Sequence, residues 1–481
     1  MINTLISENI RLACQIIPEG NINFKIEIID TKKDIDSSFK IQDSFTNFRL
    51  NYPFQPNIPY NKTDPLLGAV VDIGTTSIAL TIINLNNGLI LGADSILNPQ
   101  IDLGRDIMTR LTFALKSSLN QKQLQEKVFW GISTLLKRVT SSISVSTKDI
   151  AEMVVVGNTV MHHLFLNLPV DKLARAPFVP TLSEEFTTEI QDVDPEGILN
   201  LPLQTIVTMP PLIGSFIGSD AIADILYIGL DKSDGVHLLI DFGTNSEIII
   251  VNEGNLYAAS VAAGGAFEGQ HINCGMRGVE GAIESFWIEN GEYKFEIINS
   301  TQPKGICGSG IVDILSELLI HGQLDHRGRL FSQSKEQINN LTLIPANKIY
   351  SNYPIYLTRA DVESIQKAKA ATMAAIRTLT KYLDIEINQI EAIHIAGVFG
   401  SKLNIKSAKI IGLLPNLPED KFIIHGNTAE KGGRTILLSM QARKAVQNIA
   451  RQVERCELTN FPKFQSYFTE ELFFPENIRI L

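Results

Sequence analysis

The 481-residue sequence is poor in cysteine, short of positive charge and free of long apolar runs, and each shortage excludes something. Its four cysteines, Cys14, Cys274, Cys307 and Cys456, are scattered along the chain. No disulfide framework is expected from such spacing, and a reducing cytoplasm is the expected compartment. Lys and Arg number 42 against 52 Asp and Glu, a net charge of −10. An acidic surface repels phosphate backbones and anionic lipid headgroups, which argues against nonspecific nucleic-acid or membrane-surface binding. No apolar run reaches the roughly 20 residues that span a bilayer. Residues 1–30 lack the basic start, apolar core and cleavage site of an export signal. There is no G-x-x-x-x-G-K-[ST] loop, no ordered G-x-G-x-x-G and no H-E-x-x-H, so P-loop, Rossmann and zinc-protease chemistries drop out. His162 and His163 are adjacent and point in different directions, which does not make a metal pair.

What is present is a short pattern that occurs twice. Val70-Val71-Asp72-Ile73-Gly74-Thr75-Thr76-Ser77 runs into apolar Ile78–Asn84, a turn at Asn86-Asn87-Gly88 and a further apolar stretch. Leu239-Ile240-Asp241-Phe242-Gly243-Thr244-Asn245-Ser246 runs into Glu247–Asn252, a turn at Glu253-Gly254-Asn255 and a further stretch. Each copy reads as a strand ending in Asp, a tight glycine turn, then two more strands. Gly74 and Gly243 let the backbone turn sharply and approach a ligand. Thr75, Thr76, Thr244 and Asn245 add polar side chains beside exposed backbone amides, which suits phosphate oxygens. Asp72 and Asp241 stand where a carboxylate can hold hydrated Mg²⁺ or orient a water. One such hairpin is an ordinary glycine turn. Two in the same context read as a clamp for the polyphosphate of ATP, with Asp72 and Asp241 as catalytic and magnesium-holding residues.

Strands and helices alternate through the rest. Apolar spacing predicts helices over 101–116, 122–145, 160–166, 219–227, 361–383 and 426–445, with strands at 153–156, 205–209 and 390–395. That alternation indicates an α/β protein of two similar halves with the ligand in the crevice between them. Residues 1–30 read as a small β fragment and 31–65 as a Pro- and Asn-rich linker. One lobe is expected over 66–228, a second over 229–425, and a linking helix with a C-terminal tail over 426–481. Small residues in Gly214–Leu226 and Gly426–Ser439 predict two close-packed crossing helices at the base of the cleft, with Asp220 able to reach the site. Gly264 and Gly265, in Gly264-Gly265-Ala266-Phe267-Glu268-Gly269, are expected to pass beneath the nucleotide. Gly397 and Gly400 are expected to let an adenosine lie against the backbone.

With these motifs in place the chain resembles the acetate kinase, sugar kinase, Hsp70 and actin superfamily. Within it the chain looks most like the reductive activators of corrinoid proteins. The resemblance is carried by Gly68–Thr76, Asn98-Pro99-Gln100, Gly157–His163, Ala176–Pro180, Asp241–Glu247, Gly275–Gly278, Gly305–Gly310 and Ala396–Gly400. It implies a two-lobed actin-like or Hsp70-like ATPase fold with duplicated mixed sheets. It also implies ATP-dependent reduction of a partner's cobalt from cob(II)alamin to cob(I)alamin, within a methyltransferase system. Such activators usually carry an N-terminal ferredoxin-like domain whose [2Fe–2S] cluster takes four cysteine thiolates, three of them closely spaced. Here Cys14 alone matches, in the position of the fourth ligand, as a vestigial Fe–S residue. The chain as given is therefore not expected to hold that cluster, and a separate ferredoxin-type donor is implied. A homodimer is left open. Three alternatives stay open beside this reading: a small-molecule kinase of the same superfamily, an activator with an inter-subunit [4Fe–4S] cluster on Cys274 and Cys307, and a scaffold that holds nucleotide without turnover.

Overall fold

The structure, a computed structural model, describes residues 66–346 and 353–476. The expected β fragment, the linker and Cys14 lie outside the described residues.

Two six-stranded sheets organise the described chain, and their strands are numbered β1 to β12 in chain order. The first holds β1 (Leu67–Ile73), β2 (Ser77–Asn84), β3 (Ile90–Leu97), β4 (Ile150–Gly157), β5 (Phe186–Glu189) and β6 (Ile206–Met209). The second holds β7 (Val236–Phe242), β8 (Ser246–Asn252), β9 (Asn255–Val261), β10 (Ala392–Ala396), β11 (Phe422–Gly426) and β12 (Val453–Arg455). Their orders are β3-β2-β1-β4-β6-β5 and β11-β10-β7-β8-β9-β12. Read from the other end, the second repeats the first over five strands: an antiparallel meander, then two parallel strands. The sheets differ at their edges. β5 adds antiparallel to β6 in the first, and β12 adds parallel to β9 in the second.

β1 and β4 are apolar on both faces, as a strand covered on both sides must be. Val70, Val154 and Val156 face the middle of the molecule, while Val71, Met153 and Val155 face an outer helical layer. The middle core contains residues of both sheets and of two helices, Ser219–Ile228 and Thr428–Leu438. The expected crossing of these helices is present and tight. A Cβ added to Gly432 would lie 2.2 Å from the Ala223 carbonyl oxygen, and one on Gly433 would lie 2.7 Å from Val70 Cγ1. The Thr428–Leu438 helix follows a strand of the second sheet yet packs on the first.

Three elements depart from the sequence reading. The single helix expected over 426–445 is two, broken at Ser439, whose extended backbone and hydroxyl start the Met440–Gln452 helix by accepting from Ala442 N. The helix expected from residue 101 begins at Ile107, because Pro99–Asp102 forms a 3₁₀ turn and Asp106 makes a capping box with Thr109. Val453–Arg455, placed in the tail, pairs with β9.

Candidate functional site

The two glycine turns come from different sheets and touch. Thr76 Oγ1 lies 2.9 Å from Thr244 Oγ1 across 168 residues of sequence. Each turn is tight where glycine allows it: a Cβ on Gly74 would sit 2.8 Å from the Ser77 carbonyl oxygen. In the second, Gly243 N donates to Asn245 O at 3.0 Å.

The first turn is fixed from behind by side chains. Asn98 Nδ2 donates to Gly74 O at 2.8 Å, and Asn158 Nδ2 donates to Thr75 Oγ1 at 3.1 Å. Arg110, fully buried, donates to Thr75 O at 2.5 Å, Gln100 Oε1 at 2.9 Å and Gly104 O at 2.9 Å. Burial lowers its pKa to about 10, so it stays a cation at neutral pH. Asn158 also caps the Thr159–Phe165 helix through Val160 N and Met161 N. Sequence reading missed Arg110. A signal existed: it lies on the buried stripe Ile107, Arg110, Leu111 and Ala114, where a charge is out of place.

Behind both turns lies a concentration of carboxyl groups. Asp72 accepts from Asn427 Nδ2 at 2.9 Å. Asp220 and Asp224 come from the first crossing helix, and Asp241 and Glu247 from β7 and β8. Asp72, Asp220 and Asp241 keep part of their surface open, yet enclosure by protein dominates their titration. It raises Asp72 to about 6, against the pull of Asn427. It raises Asp220 to about 7 and Asp241 to about 7, with neighbouring carboxylates adding to each. Asp224 and Glu247 are pushed well above the ordinary range, again chiefly by burial. Asp224 is wholly buried; its Oδ1 accepts from Thr428 Oγ1 at 2.5 Å and its Oδ2 has no donor. Its neighbour there is Asp241, an acceptor unless one of the two is protonated.

An orphaned carboxylate oxygen among unfavourably close like charges is what a cation would relieve. Among the described residues no three His, Cys, Asp or Glu side chains make a ready ligand set. One or two carboxylates from Asp72 and Asp241 would nonetheless suit Mg²⁺, which keeps most of its waters. Asp220 was expected to reach the site; Asp224 and Glu247 were not singled out, though both lie within quoted motifs, Gly214–Leu226 and Asp241–Glu247.

The remaining expected residues gather around the same place. Gly397 follows β10 with φ +85°, and a Cβ there would meet Phe242 O at 2.4 Å and Asp241 Oδ1 at 2.8 Å. Gly400 begins the next turn, where a Cβ would lie 2.6 Å from Ile395 Cγ2. Between them Phe399 stacks on Phe267 at 4.9 Å and meets Phe242 edge-on at 5.4 Å. Gly264–Ala266 forms a 3₁₀ turn after β9, and a Cβ on Gly265 would come no closer than 3.5 Å to its nearest neighbour, Gln270 Oε1. The same loop carries Glu268, missed in sequence, which accepts from Thr76 Oγ1 at 2.6 Å and Thr244 Oγ1 at 2.9 Å. Burial raises its pKa against the pull of these hydroxyls.

Among the described cysteines, Cys307 and Cys456 are buried and Cys274 is half-buried. Cys307 is buried, its thiol donating to Ile283 O at 3.2 Å, and Cys274 Sγ lies 4.0 Å from Pro354 O. An inter-subunit cluster on Cys274 and Cys307 would need both sulfurs at the surface, and Cys307 is 5% exposed. His163 is bonded to Thr159 O and Thr181 N, a core role.

Comparison with known proteins places the fold. Residues 67–233 match the family model described as the RACo middle region, and residues 235–480 match the C-terminal domain of RACo, the ASKHA domain. The corrinoid activation enzyme RamQ of Eubacterium limosum is 33% identical over 88% of this chain and 73% of its own length. The [Co(II) methylated amine-specific corrinoid protein] reductase of Methanosarcina barkeri is 22% identical over 85% of this chain and 77% of its own. A solved reductive activator for a corrinoid, iron-sulfur protein superposes with a TM-score of 0.78 at 33% identity, over 86% of this chain and 67% of that one. No helix among the described residues is long and apolar enough to cross a membrane. With both regions of the family matched in order and the solved fold reproduced, the chain belongs to the RACo family of reductive activators, and its two-lobed core is an ASKHA, actin-like ATPase fold.

Proposed function

We propose that the chain binds Mg²⁺ and ATP between its two hairpins and uses them to drive the reductive activation of a corrinoid protein. The observation that carries this is the meeting of Thr76 and Thr244, one hydroxyl from each sheet, in front of a carboxyl cluster. Thr75, Thr76, Thr244 and Asn245, with the amides of Gly74 and Gly243, hold the phosphates. Asp72 and Asp241 hold the hydrated magnesium and orient water. Gly264, Gly265, Gly397 and Gly400 leave room for the nucleoside. The metal supplies neutralisation of developing charge on the phosphates; the carboxyl cluster supplies its seat.

The work is done by differential affinity. ATP favours the arrangement in which both hairpins contact one nucleotide, and a partner that binds that arrangement better is recruited or released with it. The electron comes from a separate reduced ferredoxin-type protein, which is oxidised as the partner's cobalt goes from Co(II) to Co(I). The protein acts in the cytoplasm, and a homodimer remains compatible with this scheme.

The test is to mix the purified chain, Mg²⁺-ATP, a reduced ferredoxin and a Co(II) corrinoid protein without oxygen and to follow the Co(I) absorption. Co(I) should form with ATP and fail to form without it. Failure with every corrinoid protein tried, together with ATP turnover that no such protein alters, would sink the proposal.

A further inference from the structure

The donors of both hairpins converge on an anion that the chain itself supplies. Glu268 Oε2 accepts from Thr76 Oγ1 at 2.6 Å, Thr244 Oγ1 at 2.9 Å and Gln270 Nε2 at 3.4 Å. Thr76 belongs to the first sheet's turn and Thr244 to the second's, so one oxygen closes a triangle across the cleft. Each hydroxyl has a single proton to give. With both given to Glu268, neither is available to a phosphate oxygen. A terminal phosphate is an oxyanion seeking the same protons, and it repels a carboxylate in the same place.

We propose that Glu268 is an internal anion that occupies the terminal-phosphate position of the paired hairpins and must be exchanged for that phosphate when ATP binds. The inference rests on the nucleotide-clamp reading above and deepens it. ADP lacks the competing phosphate, so with ADP the Glu268 bonds stay. Glu268 thereby acts as a positioning residue that separates the ATP state from the ADP state. The exchange also has an outlet. Glu268 adjoins Gly269, which has φ +80° and packs its backbone on Met276; a Cβ at Gly269 would lie 2.6 Å from Met276 N. Arg277 acts electrostatically on Glu268 from the same segment. Release of the carboxylate therefore reaches the Cys274–Gly278 loop directly.

The experiment is calorimetric titration of the full chain with Mg²⁺-ADP and with a non-hydrolysable Mg²⁺-ATP analogue. It compares the unaltered chain with Glu268→Gln and Glu268→Ala. Removing one adjacent like charge should tighten binding of the ATP analogue by about tenfold in both variants and leave ADP within about twofold. An unchanged ratio of ATP-analogue to ADP affinity in variants that still bind ADP overturns the exchange. So does a loss of turnover on the order of a hundredfold at unchanged analogue affinity, because Glu268 would then act on the attacking water. If the unaltered chain binds neither nucleotide, the clamp reading itself fails and the exchange fails with it.

Discussion

The two hairpins are alike in sequence and unlike in support. The first is anchored from behind by Asn98, Arg110 and Asn158, each donating to Gly74 or Thr75. The second is held by its own backbone bond, Gly243 N to Asn245 O, and by the Thr244–Glu268 contact. Their acids differ too: Asp72 has a neutral donor in Asn427, whereas Asp241 stands beside Asp224 and Asp72. The duplication thus yields one turn braced by three side chains from behind and one without such bracing, both bonded to Glu268 in front.

The comparison breaks most decisively at the acids. Asp241→Asn and Asp72→Asn should each lower ATP turnover on the order of a hundredfold or more, since each removes a preorganised charge at the reacting groups. A phosphate-release assay checks this, and turnover within a few-fold of the unaltered chain would refute it. The same pair separates the two jaws by stability. Asp241→Asn removes a carboxyl with acidic neighbours and should raise nucleotide-free stability at neutral pH by on the order of 1–2 kcal/mol. Asp72→Asn, which gives up a favourable bond from Asn427, should gain less. Arg110→Ala should destabilise the first lobe by about 3 kcal/mol, because it strips donors from several buried carbonyls at once. Gln270→Ala, on the other jaw, should cost under about 1 kcal/mol. Denaturant titration with Mg²⁺-nucleotide absent measures all four.

The carboxyl cluster also sets a pH dependence whose sign can be worked out. Asp72 at about 6 and Asp220 and Asp241 at about 7 bind protons more tightly when folded than the ordinary 3.8 of an unfolded Asp. The folded state therefore holds more protons between those values, and stability is lost as pH rises through the window. Because the groups interact, the loss belongs to the cluster as a whole. Burial lowers the pKa of His162, His163, His394 and His425, which act in the opposite sense below about pH 6.5, so the cluster's share is read against Asp241→Asn: that variant should gain melting temperature over the unaltered chain as pH rises from about 4 to about 7, and Mg²⁺ with nucleotide should shrink the gain. A difference that stays constant or closes with rising pH would contradict the charge arrangement. The smallest contrast is at the turn residues: Asn158→Ala should cost about 1–2 kcal/mol through its cap and its Thr75 bond, and Asn245→Ala within about 0.5 kcal/mol.

The paired hairpins were legible because everything that defines them is local: a strand, an acid, a glycine, two hydroxyls. The crossing helices were legible from small residues at helical spacing. Arg110 and Glu268 were not, because what makes them functional is a partner 35 residues away for one and 192 for the other. The quoted glycine motif even contained Glu268, but its glycines alone drew attention. Three-residue β12 left no periodic trace beside a long helical run, and the break at Ser439 was hidden by helix-forming residues on both sides. The antiparallel pair Ala282–Glu289 and Glu292–Ile297, inserted in the second half, was not anticipated, since nothing in the repeat demands it.

Where the Gly432 backbone rests on the Ala223 carbonyl, no gap remains to be taken up. Any side chain larger than hydrogen at Gly432 would have to force the two crossing helices apart. The seat of the cleft is thus set by one missing methyl group rather than by any polar bond.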